Sequence, residues 1–310
     1  MDVASLCRRR FCWAFALLFL MVSCGNPGEQ SGQSKESVSG ADMDVMASPQ
    51  AKRLLRYWDG FIFKKDALAN NRDDAEQKLV DFMAMFQAVP DTVVQVAVFN
   101  MLDKASADPQ VLDYFLGKYK HYLFDPNSPM RNEDDYGQVL AYLVQADGIS
   151  EEDKIKYKSL LELVQKNRVG MAATDFTYWS KEGKHRNMYE GTSPYKMLVF
   201  YDPTCTHCTS VIHDLGQTPA VHACVENAFL DVVAVSLHPD KDAWVAYQKQ
   251  IPANWTNGFD EEGKVINDGL YNIRAYPTIF LLDKENTVLL KDAPLDVTLR
   301  YLVELASKGG

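Results

Sequence analysis

The chain has 310 residues, 47% of them hydrophobic, and carries a net charge of −10. It is long enough for two ordinary domains and apolar enough for packed cores, which excludes a disordered or low-complexity protein. An acidic balance of this size leaves no electrostatic footprint for a nucleic acid.

In chain order, Arg8-Arg9-Arg10 precedes an apolar run from Phe11 to Val22. That run is shorter than the roughly 20 residues a membrane span needs. With the arginines before it, the run predicts an export signal over residues 1–23. Met21-Val22-Ser23-Cys24 is similar to a bacterial lipobox, which implies that Cys24 becomes the lipidated first residue of the mature chain. The alternative is an ordinary secretory signal with an incidental cysteine. Residues 24–45, rich in Gly, Ser, Gln and Glu, predict a flexible tether.

Residues 46–168 predict an all-helical domain. Ser48-Pro49 and Asp108-Pro109 are cap-then-proline helix starts, and Ser150 ahead of Glu151-Glu152-Asp153 is another. A first helical face holds Leu54, Leu55, Trp58, Phe61 and Ile62. Later faces hold Leu79, Val80, Met83 and Phe86; Val94, Val98, Met101 and Leu102; Leu112, Phe115, Tyr119 and Tyr122; and Tyr136, Val139, Leu140 and Leu143. The last helix is expected to run to about Arg168 and stop at Gly170. The aromatic stripe reads as core, and His121 as a surface or half-buried residue.

Residues 169–310 change character. Asp175 to Trp179 with the Glu182-Gly183 turn predicts an edge hairpin, and Met197 to Tyr201 a strand buried on both faces. Asp202-Pro203-Thr204 is a turn, after which Val211, Ile212 and Leu215 have helical spacing. Cys205 and Cys208 therefore fall where a strand turns into the first turn of a helix. Unpaired backbone N–H groups and the positive end of the helix dipole stabilise a thiolate there. Strands are further expected at Asp231 to Leu237, Trp255 to Phe259, Tyr276 to Asp283 and Thr287 to Lys291. Helices are expected at Lys241 to Gln250 and Leu295 to Lys308.

This arrangement resembles the thioredoxin superfamily, specifically its TlpA/ResA type. The motif is Cys205-Thr206-His207-Cys208, and Tyr276-Pro277-Thr278 looks like the start of the family's strand that begins with a cis-proline. The resemblance implies an α/β thioredoxin-like fold over 169–310, behind a helical module of a kind that precedes such domains in some Gram-negative lipoproteins. It implies thiol–disulfide exchange through Cys205 and Cys208, with Pro277 packed against the pair and presenting backbone to an extended peptide. No organic cofactor or metal is implied. His207, where thioredoxin itself usually has proline, is expected to lower the Cys205 pKa below the free value of about 8.5 and make the disulfide more oxidising. The implied partners are protein thiol or disulfide substrates, a redox partner protein, and the membrane through the anchor. The implied location is the periplasm-facing cell envelope of a Gram-negative bacterium.

Some positions depart from the family. The buried acid six residues before the first cysteine is Val199 here, and the glutamate three residues after the second is Val211. Asp202 is left as a candidate base for Cys208, or as a cap for the turn. Half of a zinc site, completed by His213, His222 or Cys224, is an alternative use of the motif. Cys224 itself reads as a buried core thiol. The rival to an enzyme is a partner-binding lipoprotein with a thioredoxin-like scaffold and little redox activity. The change of character near Met171 leads to the expectation that a piece starting near Val169 keeps its activity.

Overall fold

The computed structural model describes residues 46–308. The expected signal segment, Cys24 and the whole tether lie outside them. No helix of the described residues is long and apolar enough to cross a membrane.

The first half is helical: α1 (Pro49–Leu55), α2 (Lys65–Asn70), α3 (Arg72–Ala84), α4 (Asp91–Ser106), α5 (Pro109–Tyr119), α6 (Glu133–Gln145) and α7 (Glu151–Val164). The caps follow the sequence. Ser48 Oγ accepts the Ala51 N–H at 3.1 Å, Asp108 the Gln110 N–H at 3.1 Å, and Ser150 the Asp153 N–H at 3.1 Å. Each satisfies one of the donors a helix start leaves unpaired. The aromatic stripe is core. Trp58 packs edge-on against Phe61 (5.0 Å between ring centroids), Phe82 (5.6 Å) and Phe115 (5.5 Å), geometries that ring quadrupoles favour.

Two helix ends differ from expectation. The first helix stops at Leu55 instead of reaching Ile62, because the chain turns tightly to Gly60 (φ 82°) to bring Trp58 into the core; Ile62 is 59% exposed. The last stops at Val164, four residues before Arg168. There the buried Asn167 takes φ 53°, accepts the Thr174 N–H and donates to the Leu270 carbonyl.

The second half is a seven-stranded sheet in the order β2-β1-β5-β4-β3-β6-β7. Its strands are β1 (Thr177–Ser180), β2 (His185–Asn187), β3 (Tyr195–Tyr201), β4 (Leu230–Ser236), β5 (Thr256–Phe259), β6 (Thr278–Asp283) and β7 (Val288–Lys291). β3, β4 and β5 are parallel, and the other pairings are antiparallel. The helices are α8 (Thr206–Gln217), α9 (Pro219–Glu226), α10 (Lys241–Tyr247), α11 (Lys264–Asn267) and α12 (Leu295–Lys308). Central β3 alternates between two cores. Met197, Val199 and Tyr201 meet α8, α9, α10 and α12, while Leu198 and Phe200 meet Phe176, Tyr271 and Phe280 on the other face. A strand buried on both faces has no polar side to show, hence the unbroken apolar run from Met197 to Tyr201.

The two halves meet across charge rather than oil. Glu133 at the start of α6 lies against Arg274 (Nε to Oε1, 2.7 Å) and Lys291 (Nζ to Oε2, 3.2 Å), and all three side chains are buried. Those two contacts are ion pairs without hydrogen-bond geometry. Lys291 Nζ also donates to the carbonyls of Val164 and Lys166. Asp292 takes the guanidinium of Arg274 at 2.7 Å and lies 3.5 Å from that of Arg131. A chain cut at 169 would thus lose partners of Arg274, Lys291 and Asp292, so the domain that begins there is not bordered by an indifferent surface.

Candidate active site

The site sits at the carboxyl end of β3. Asp202 organises the turn: its carboxylate accepts the Thr204 N–H and hydroxyl, each at 2.7 Å, and its carbonyl accepts the Cys205 N–H at 3.1 Å. Its side chain thus caps the turn. Cys205 is the N-cap residue of α8, and its sulfur accepts the Cys208 N–H at 3.3 Å. A sulfur in that position receives a backbone donor and faces the positive end of the helix.

The two thiols have different access. Cys205 is half-buried beside exposed Thr204, Thr206 and His207, whereas Cys208 is wholly buried with Val211, Ile212 and Leu215 on the inner face of α8. Burial pushes the Cys208 thiol far up, and a hydrogen bond to Cys205 adds to the shift. Cys208 therefore rests as a protonated thiol behind the accessible sulfur. Val199 and Val211 are buried in the same core cluster as Cys208 and offer it no carboxylate. The negative charge of Asp202 raises the Cys208 pKa further.

Opposite the pair, the Tyr276–Pro277 peptide is cis, and the Cys205 thiol donates to the Tyr276 carbonyl across 3.9 Å. Cys205, Cys208, His207 and Pro277 are thus brought to one end of the sheet. His207 points into solvent. The other zinc-ligand candidates do not gather there: His213 and His222 are exposed on α8 and α9, and Cys224 is in the core.

Sequence reasoning gave three neighbours no role in the site. Tyr276 acts through its carbonyl, which any residue could supply, so its side chain gives no signal. Tyr247 donates to Thr209 Oγ1 at 3.4 Å, and Thr209 donates to the Cys205 carbonyl at 3.4 Å. Burial raises the Tyr247 pKa first, with Cys208 and Cys205 adding to it. The hydroxyl of Tyr201 is raised too, by burial above all, and donates to Asn257 at 2.9 Å. Both phenols stay protonated, so the floor of the site is polar but uncharged.

The fold that carries this pair is thioredoxin-like, and comparison with known proteins shows the same fold. A model described as Thioredoxin-like matches residues 194–288, and one described as Domain of unknown function (DUF5106) matches residues 50–167. A thioredoxin-like protein from Bacteroides caccae is 32% identical, with TM-score 0.77, over 86% of this chain and 96% of that one. The C-terminal domain of an uncharacterized Bacteroides fragilis protein is 35% identical over 44% of this chain and 97% of that chain, with TM-score 0.43. A thiol-disulfide oxidoreductase from Bacteroides fragilis is 22% identical over 44% and 99%, with TM-score 0.39. No curated protein matches. The chain belongs to the thioredoxin-like family, with an N-terminal domain of unknown function.

Proposed function

We propose that the protein is an exported, lipid-anchored thiol–disulfide oxidoreductase facing the periplasm, with Cys205 as nucleophile and Cys208 as resolving thiol. The observation that supports this most is the asymmetry of the pair. One sulfur is accessible, at a helix start and 3.9 Å from the Tyr276 carbonyl; the other is buried one turn behind it. In the reducing direction the Cys205 thiolate attacks one sulfur of a substrate disulfide. Cys205–S–S–substrate forms, and the other substrate sulfur leaves as a thiolate. Cys208, giving up its proton, then attacks the Cys205 sulfur; the intramolecular disulfide forms and the second substrate thiolate leaves. Two electrons pass to the substrate, and a redox partner protein restores the dithiol. The same steps in reverse oxidise a substrate dithiol. Pro277 and the Tyr276 carbonyl flank the incoming peptide, and His207 biases the pair toward oxidation. Export and anchoring rest on residues 1–24 and on the resemblance of Met21-Val22-Ser23-Cys24 to a lipobox.

The purified protein with dithiothreitol should reduce the interchain disulfides of insulin well above the reductant alone. Binding of partners without turnover would instead favour the scaffold reading. In cells, Cys24→Ala should remove the mature protein from the membrane fraction. An unchanged membrane-bound mature form would contradict the anchor.

A further inference from the structure

The segment from Gly269 to Tyr276 joins α11 to β6 and delivers the Tyr276 carbonyl to Cys205. Residues 272–276 make no backbone–backbone hydrogen bonds of their own, so side chains must hold them. The helical half does so. Lys166 Nζ donates to the Gly269 carbonyl at 2.7 Å, and Asn167 Nδ2 to the Leu270 carbonyl at 2.8 Å. Asn272 Nδ2 donates to Glu133 Oε1 at 2.6 Å, and the Arg274 guanidinium donates to the Phe124 carbonyl. That guanidinium also lies 4.6 Å from the centroid of the Phe124 ring, which stacks on Tyr136 at 4.6 Å. Within its own half, Arg274 donates to Asp292 Oδ2 at 2.7 Å.

We propose that the helical domain positions the peptide-presenting loop of the active site, with Glu133, Asn272 and Arg274 as positioning residues. The inference deepens the oxidoreductase reading and rests on it for its kinetic part. A loop with no ladder of its own takes its place from whatever holds its side chains, and Arg274 is two residues from the carbonyl that meets Cys205. Two of these holds come from elements more than a hundred positions upstream, beside Asp292 on Arg274 and the Thr278 hydroxyl, which donates to the Ala275 carbonyl at 2.7 Å. The helical domain therefore acts in engaging the peptide, not in the sulfur chemistry.

The test compares Arg274→Met, Arg274→Lys and Asn272→Ala with the full-length wild type. For a peptide disulfide, Arg274→Met should raise KM roughly tenfold with kcat little changed, a misplacement effect. Reaction of Cys205 with a small aromatic disulfide, which needs no loop, should keep its wild-type rate. Arg274→Lys should recover part of the KM. The order parameters of the Ile273, Ala275 and Tyr276 amides should fall in Arg274→Met from about 0.85 toward 0.6 or below. Asn272→Ala leaves the ion pairs in place and should move KM and order parameters the same way by less, deciding the matter if Arg274→Met does not fold. Unchanged KM and unchanged order parameters in folded variants would overturn the proposal, as would equal losses with both substrates. If the wild type itself turns over neither substrate, the oxidoreductase reading fails, and the order parameters alone decide whether the helical domain holds the loop.

Discussion

Cys208→Ser is expected to turn the catalyst into a trap. With the buried thiol gone, Cys205 still attacks, but nothing resolves the mixed disulfide. Partner proteins should accumulate as adducts that migrate with this chain on non-reducing gels and fall away with reductant. Cys205→Ser should abolish turnover, leaving only the uncatalysed background, and should trap nothing. The asymmetry follows from access: the reactive sulfur is the one a substrate can reach, and Cys208 is sealed under the first turn of α8. Adducts on Cys205→Ser rather than on Cys208→Ser would reverse the roles. The measurement is mass spectrometry of the adducts, which also identifies the substrates.

The second large effect is expected at the seam between the halves. Lys291→Met should destabilise the protein by about 3 kcal/mol near neutral pH, because it withdraws one of two cations from a buried carboxylate. Glu133 keeps Arg274, which holds the loss toward the low end for a broken buried pair. The pH dependence of the difference carries the sign. Burial raises the Glu133 pKa above its ordinary 4.5 even with Lys291 and Arg274 opposing, and burial likewise raises Asp292. A carboxyl with a raised folded pKa favours folding most when protonated, and that contribution is lost as pH rises from 4.5 through the folded value. Without Lys291 the folded value moves higher still. The gap between wild type and variant should therefore be widest at pH 7–8 and should narrow toward pH 5. Urea melts at both pH values check this; a gap independent of pH would mean that Glu133 does not titrate across that window.

What could be read in advance depended on whether a residue's partners are near it in sequence. β3 was legible because its run is buried on both faces, and the helix starts at Ser48, Asp108 and Ser150 because a cap is a contact with a residue two or three positions on. The cysteine pair was legible for the same reason: three positions and one helical turn bring Cys205 and Cys208 together. The end of the first helix was not, since Trp58 leaves the helical path to join rings on α3 and α5. Nor was the loop before Pro277. Asn272 finds Glu133 139 positions away, and no local pattern in either sequence segment announces the pair. The valines at 199 and 211 can be read off directly, but the tyrosines around the buried thiol come from β3 and α10 and are collected only by folding.

The reduction potential of the Cys205/Cys208 pair tests the central claim most directly. The protein is equilibrated in dithiol buffers of graded potential, its thiols are alkylated, and the two states are counted by mass. One two-electron transition is expected between about −270 and −120 mV, on the oxidising side of thioredoxin, and His207→Pro should move it to a more negative value. A pair that never joins contradicts a disulfide made to be exchanged, and so does one locked below about −300 mV in the manner of a structural bond.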